Sequence, residues 1–296
     1  MNASGLSGKR VLVVGASGHG TGAATAAAVK RLGGDVVLAA RSARGLATAA
    51  EVVGEPVETV EFDMTDADAV EAAIASLGDL DHVAITADTG QPGPFLEQPI
   101  AEARDKFEKF WGHFHVARAA APRLRPGGSI VFCSSIAALA PARTGAVLTA
   151  VNAAINGLTL ALARELAPLR VNAVAPSYML NDDAPAAARR EAEAWARDAL
   201  PVGRATHIEE TAAAIAFLMM QPTTTAVILA IDGGLRFACR RSARNSSLPN
   251  TSWMTRRCEG RAAPSVRSSL CHHVVTVRTG KVRLVLLGCI SRTLQR

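Results

Sequence analysis

Along the first 238 residues, short and mainly apolar runs alternate with longer alanine-rich stretches. The runs lie at residues 11–14 (VLVV), 35–40 (DVVLAA), 57–62, 83–85, 129–133, 171–174 and 227–231. A continuous apolar run bounded by turn residues predicts a strand covered on both faces. The stretches between them, at 20–33, 66–77, 97–121, 145–167 and 208–220, are long enough for crossover helices. A further charge-rich helix is predicted in the segment 181–200, which carries Asp182, Asp183, Arg189, Arg190, Glu191, Glu193 and Trp195. Seven strands joined by helices predict an α/β fold, a doubly wound parallel seven-stranded sheet of the Rossmann-like kind.

After residue 238 this rhythm stops. Residues 239–296 hold 12 basic residues and one acid, Glu259, together with four of the five cysteines. The body, residues 1–238, carries 20 basic and 25 acidic residues. The chain therefore divides into a mildly acidic domain and a basic tail with weak periodicity, which predicts a disordered or poorly packed appendage. A shifted reading frame in the source gene is one origin for so abrupt a change, and sequencing the 3′ end tests it. The net charge of +6 belongs to the tail, so it is no nucleic-acid signal for the body. Salt-sensitive DNA binding lost on truncation after Ala238 would give the tail that role.

Other classes recede on composition. The chain is 49% hydrophobic but only 4% aromatic, with 24 glycines, which suits helices packed closely on a sheet through small residues. The run 282–290 is broken by Arg283 and is far short of the ~20 residues that span a bilayer. The opening MNASGLSGKR has no apolar stretch after its charges, so a cytoplasmic protein without a membrane partner is expected. Cys258, Cys271, His272, His273 and Cys289 are spaced too widely and irregularly for a zinc site, so no metal is expected.

The first strand runs into Gly15-Ala-Ser17-Gly18-His19-Gly20-Thr-Gly22 and then into a helical stretch. Glycines here permit a sharp turn and a close backbone approach to a pyrophosphate, whose charge the helix N-terminus favours. At the end of the second strand stand Ala40, Arg41 and Ser42, with Arg44 close behind and no acid in reach. An acid at that place binds a ribose 2′-hydroxyl, whereas a guanidinium grips a 2′-phosphate. NADP is therefore expected over NAD, the alternative being that Arg41 is a solvated residue on an exposed turn.

With these motifs the chain resembles the short-chain dehydrogenase/reductase family from about Lys9 to Phe237. Further matching stations are Asp63-Met64, 128–135 (GGSIVFCSS), 158–168 (LTLALARELAP), 170–176 (RVNAVAP), 201–204 (PVGR) and 231–234 (IDGG). The family's glycine loop reads G-x-x-x-G-x-G, and this one is a residue longer. The family's Asn-Asn-Ala-Gly after the fourth strand is replaced by Ile85-Thr-Ala87-Asp88. The resemblance implies that Asp63 and Met64 contact the adenine, that Ala87 lies beside the cofactor, and that the chain forms a homodimer or homotetramer through two long helices.

It also implies a serine, tyrosine and lysine that reduce a carbonyl or oxidise an alcohol, with an asparagine that relays protons. The serine falls on Ser135, but the tyrosine place falls on Leu148 and the lysine place on Asn152. The asparagine place falls on Lys109. The single tyrosine, Tyr178, is followed four residues later by Asp182, so no Tyr-x-x-x-Lys occurs in the chain. Lys109 and Asn152 thus read as an exchange of lysine for asparagine across two helices, the alternative being a surface lysine and an unrelated polar residue. Ser135 through water, His113, His115 and Tyr178 are the candidate proton sources. Two functions follow: an NADP-dependent oxidoreductase with an atypical site, transferring hydride between NADPH and a small carbonyl or alcohol, or a catalytically silent relative that binds the dinucleotide as sensor or scaffold.

Overall fold

The apolar runs become one parallel sheet. The computed structural model describes residues 5–238 apart from 55, 88–91 and 181–184. The tail at 239–296, with its cysteines, lies outside the described residues, as do Asp88, Asp182 and Asp183. In chain order the strands are β1 (Arg10–Val14), β2 (Asp35–Ala40), β3 (Glu58–Glu61), β4 (Leu80–Ile85), β5 (Leu124–Cys133), β6 (Arg170–Pro176), β7 (Met179–Leu180), β8 (Thr206–His207) and β9 (Ile228–Ile231). Seven of them form a sheet in the order β3-β2-β1-β4-β5-β6-β9, while β7 and β8 pair separately. Every pairing is parallel, from Arg10↔Asp35 between β1 and β2 to Pro176↔Ile231 between β6 and β9.

Side chains on a strand alternate between its two faces, and here each face meets its own layer of helices. Val11 and Val13 of β1 join Val36 and Leu38 of β2 in one core, with Ala23 and Ala26 of α1 (Thr21–Arg31), Ala49 of α2 (Ala43–Val53) and Ile215 of α8 (Ile208–Met220). Leu12 and Val14 join Val37, Val83, Ile130 and Phe132 in the other core. That second core is closed by α3 (Ala67–Ser76), α5 (Glu108–Ala120) and α6 (Ala146–Glu165). Alanines at the contacts let helices approach the sheet closely, which explains how so few aromatics suffice. Each fully buried Val or Leu contributes roughly 1.5–3 kcal/mol.

Three local features depart from the sequence expectation. The stretch 97–121 forms two helices, α4 (Ile100–Asp105) and α5, which meet at Lys106 and Phe107. Helix α2 and the charge-rich α7 (Ala186–Ala199) complete the helix set. Of these α2 had no expectation, although Ser42 caps it by accepting from Gly45 N at 3.2 Å. Strand β5 begins at Leu124 rather than 129, because residues 125–127 are exposed and carry no apolar signal. Helix α6 is long and apolar enough to cross a membrane by length and composition. It is nonetheless the crossover from β5 to β6, and Val151, Asn152, Ile155 and Thr159 form its buried stripe.

Polar groups anchor the N-terminal edge of the sheet. Asp81 accepts from Lys9 Nζ, Arg10 N and Arg125 Nη1, each at 3.0 Å. Arg170 donates to the carbonyls of Leu218 and Met219, both at 2.7 Å, setting a cation at the C-terminal end of α8. His82 is buried and meets Ser129 Oγ through Nδ1 at 2.9 Å. All of the chemistry described next sits at the opposite, C-terminal edge.

Candidate functional site

The β1–Gly loop–α1 unit is built by close backbone contact. Helix α1 starts at Thr21 with Gly20 as its cap, without a capping side chain and without an acid in its first turn. Its first N–H groups have no partner within the helix itself, so the end is an open electropositive site. A Cβ on Gly22 would stand 2.4 Å from Gly15 O, and one on Gly15 would stand 2.4 Å from Ala87 N. Only glycine lets the first turn of α1, the loop and the end of β4 converge. The additional loop residue is taken up by a turn in which Ser17 N donates to Gly15 O at 3.0 Å. Gly18 N then donates to Gly45 O of α2 at 3.1 Å. Gly45 also lies close, since a Cβ there would stand 2.3 Å from Ser17 Oγ, but that is a side chain able to turn away and not fixed backbone. A glycine in the first turn of an alanine-rich helix is the sequence signal for it.

Arg41 follows β2 directly and is exposed, as are Ser17, His19 and Arg44. Helix α2, like α1, has no acid in its first turn. Ser17, Arg41 and Arg44 thus lie around two electropositive helix ends, the arrangement an anion requires. Asp63, after β3, is half-buried and accepts from Thr65 N and Thr65 Oγ1, both at 2.9 Å. Met64 is 6% exposed, and its side chain lies against Gly112 of α5. Its carbonyl accepts from His115 Nδ1 at 3.1 Å. These residues fit a dinucleotide: Gly15 and Gly22 leave no room for a side chain, and both helix ends are free of competing acids.

The second half of the site collects over β4, β5 and β6. Ser135 follows β5 and accepts from Ala137 N at 3.2 Å, so one lone pair is engaged while its O–H remains a donor. Thr149 of α6 donates to Ala137 O at 3.2 Å, tying the first turn of α6 to the Ser135 turn. One turn further along α6, Asn152 is fully buried; its Nδ2 donates to Leu148 O at 2.8 Å. Its Oδ1 accepts from Lys109 Nζ at 2.9 Å. Lys109 stands at the start of α5 and is 2% exposed, so it is no surface lysine. Helices α5 and α6 both begin at the C-terminal edge of the sheet, which is why residues 43 apart in sequence meet there.

The structure brings Lys109 and Asn152 together and engages the candidate histidines with other partners. His113 is buried, with Nδ1 at 2.7 Å from Lys109 O and its ring against Phe132. His115 is turned to Met64 O and stacked on Trp111. Tyr178 is 37% exposed and meets Trp195 of α7 edge-on at 6.3 Å. Among the described residues no three His, Cys, Asp or Glu side chains gather as a metal site.

Comparison with known proteins gives this geometry a family. The sequence profile described as Enoyl-(Acyl carrier protein) reductase matches residues 15–236. The cis-4-hydroxycyclohexanecarboxylate dehydrogenase of Sinomonas cyclohexanicum is 35% identical over 242 residues, covering 76% of this chain and 96% of that protein. The L-xylulose reductase of Mesocricetus auratus is 32% identical over 245 residues, covering 78% and 97%. Among solved structures, L-sorbose reductase from Gluconobacter frateurii complexed with NADPH and L-sorbose superposes with a TM-score of 0.72 at 25% identity, covering 80% of this chain and 100% of that one. A short-chain type dehydrogenase/reductase from Mycobacterium ulcerans also gives a TM-score of 0.72, at 26% identity, covering 79% of this chain and 91% of that one. With sheet order, glycine loop and matched relatives in agreement, the chain belongs to the short-chain dehydrogenase/reductase family of oxidoreductases.

Proposed function

We propose that this protein is an NADP-dependent oxidoreductase that interconverts a small carbonyl compound and its alcohol through an atypical active site. The observation that carries the reading is the β1–Gly loop–α1 unit with Arg41 at the end of the neighbouring strand. Arg41 grips a 2′-phosphate, Ser17 to Gly22 wrap the diphosphate, Asp63 and Met64 border the adenine, and Ala87 lies along the crevice. An acid at position 41 would instead have favoured NAD.

NADP supplies or accepts the hydride; the chain's own residues manage the charge that accompanies it. Reduction of a carbonyl builds negative charge on oxygen, which calls for a donor and a cation nearby. The Ser135 hydroxyl donates to that oxygen. Lys109 returns, from α5, the positive charge that Asn152 does not carry, and its bond to Oδ1 fixes the orientation of the Asn152 amide. Leu148 has no proton to give, so the proton reaches the oxygen from water by way of Ser135. Losing a positioned acid slows such chemistry by ~10²–10⁴, so turnover is slow while cofactor affinity is ordinary.

Exposed apolar side chains on α5 and α6, Trp111 at 47% and Leu160 at 52%, support assembly as a homodimer or homotetramer through these helices. Fluorescence titration with NADPH and NADH, followed by absorbance with a panel of carbonyl substrates, tests the reading. NADPH binding with turnover above background supports it. Binding without turnover would favour a dinucleotide sensor, and a preference for NADH would overturn the role of Arg41.

A further inference from the structure

Two side-chain oxygens are buried and unbonded where the loop before α4 meets the start of α6. Gln98 and Thr144 are both half-buried residues, yet Gln98 Oε1 and Thr144 Oγ1 are enclosed, with no hydrogen-bond partner among the described residues. The bond from Gln98 Nε2 to Glu102 Oε1 of α4 at 3.3 Å fixes which atom of the amide is the oxygen. A polar atom withdrawn from water and left unbonded destabilises the fold, and an apolar residue of the same shape avoids that penalty. Two such atoms at one contact are explained by a partner that arrives from outside.

Backbone contacts place the pair beside the reacting end of the crevice. Gly145, next to Thr144, donates from its N to Gly93 O at 3.1 Å, and a Cβ on Gly93 would stand 3.8 Å from Gln98 Cδ. A Cβ on Gly145 would stand 3.9 Å from Leu148 Cβ. Thr149, the next residue, is tied to the Ser135 turn through Ala137 O. Both oxygens thus flank the Leu148 and Ser135 end of the site, and the proposed reduction uses neither. Gln98 Oε1 can only accept, whereas the Thr144 hydroxyl accepts or donates. A carboxylate has no proton to give Gln98 and is excluded. A hydroxyl gives its proton to Gln98 Oε1 and accepts from Thr144, once these half-buried side chains rotate to meet it. We propose that Gln98 and Thr144 together bind a substrate hydroxyl other than the reacting oxygen, which makes the substrate a hydroxy carbonyl compound and its reduced form a diol. This inference rests on the oxidoreductase reading above.

The test measures kcat/KM with NADPH for 1-hydroxy-2-butanone, 4-hydroxy-2-butanone and plain 2-butanone, using full-chain wild type, Thr144→Val and Gln98→Met. Each protein's preference is its kcat/KM for the better hydroxy ketone divided by that for 2-butanone, so intrinsic reactivity cancels between proteins. Loss of one neutral hydrogen bond predicts a preference about three- to tenfold lower in each variant. The melting temperature of Thr144→Val equals or exceeds that of wild type, since a role confined to the fold would lower it. An unchanged preference in either variant, equal loss on all the ketones, or a lower melting temperature for Thr144→Val would each overturn the inference. Wild type that reduces plain ketones but neither hydroxy ketone overturns it as well, and leaves the oxidoreductase reading standing. Wild type that binds NADPH yet reduces no carbonyl compound sinks the oxidoreductase reading, and the hydroxyl site goes with it.

Discussion

The two halves of the crevice are built on different principles. On the β1–β2–β3 side the proposed working parts are mainly backbone: Gly15 and Gly22 without room for a side chain, two helix ends, and one arginine placed by the end of a strand. On the β4–β5–β6 side they are side chains delivered by separate elements, Lys109 from α5, Asn152 from α6 and Ser135 from the turn after β5. A backbone site tolerates an inserted residue because the extra length can be absorbed in a turn, as Ser17 and Gly18 do here. A side-chain site can exchange its members between helices provided the same volume and charge arrive at the same place. Lys109 and Asn152, hydrogen-bonded at 2.9 Å, are the pair on which the proposed exchange rests.

The sharpest way to break this contrast is to alter one half and watch the other. In the proposed active site Leu148→Tyr supplies an acid, and turnover of a carbonyl substrate with NADPH is expected to rise by ~10²–10⁴. NADPH affinity measured by fluorescence should stay constant. A Tyr variant that binds NADPH but turns over no faster would remove Leu148 from the acid's place.

Next in size is a test of the scaffold beneath both halves. Burial holds His82 down from 6.5 to about 4, with Arg170 lowering it further and Asp81 opposing. The folded protein therefore keeps this imidazole neutral while the unfolded chain protonates it near 6.5. Stability is fully present above 6.5 and declines as pH falls toward about 4, by about 3 kcal/mol in all. Denaturation curves across that window should show the decline in wild type and a flatter acid limb in His82→Gln. Equal slopes in the two proteins would contradict it.

Arg41→Ala acts on the adenine half alone. Charge-assisted hydrogen bonds contribute about 1.5–3 kcal/mol, so NADPH affinity should fall roughly 10–100-fold with NADH affinity unchanged. Parallel loss of both cofactors would mean that Arg41 supports the loop rather than a 2′-phosphate. The smallest effect is expected at Glu210, whose carboxyl is held at about 2 by hydrogen bonding to Arg204, despite some burial. This depressed group contributes stability above its ordinary carboxylate range and loses it as pH falls toward about 2. Glu210→Gln should lower the neutral-pH melting temperature slightly, by less than the acid loss at His82, and leave both cofactor affinities unchanged.

Legibility in the sequence follows the same division. Gly15 to Gly22, Arg41 and the strands around them are consecutive or nearly so, and local steric demands read directly from the residues. Helix α2 is legible in hindsight from its cap, Ser42, and from Leu46, Ala49, Ala50 and Val53 at helical spacing, but small alanines make that apolar stripe faint. The break between α4 and α5 was missed as well, and it is this break that begins α5 at Glu108 with Lys109 facing inward. Gln98 and Thr144 could not be singled out from the other polar residues at all, since their distinction is an oxygen buried without a bond.

The chain by itself determined the parallel sheet, the glycine turn and the guanidinium at the end of β2, because apolar runs, missing Cβ atoms and short-range order act over a few residues. Only the tertiary structure decided that Lys109 and Asn152 meet inside the protein, and that the oxygens of Gln98 and Thr144 are enclosed. Those outcomes depend on which helix begins at which edge of the sheet, and on how much water the assembled layers exclude, neither of which any local stretch of sequence contains.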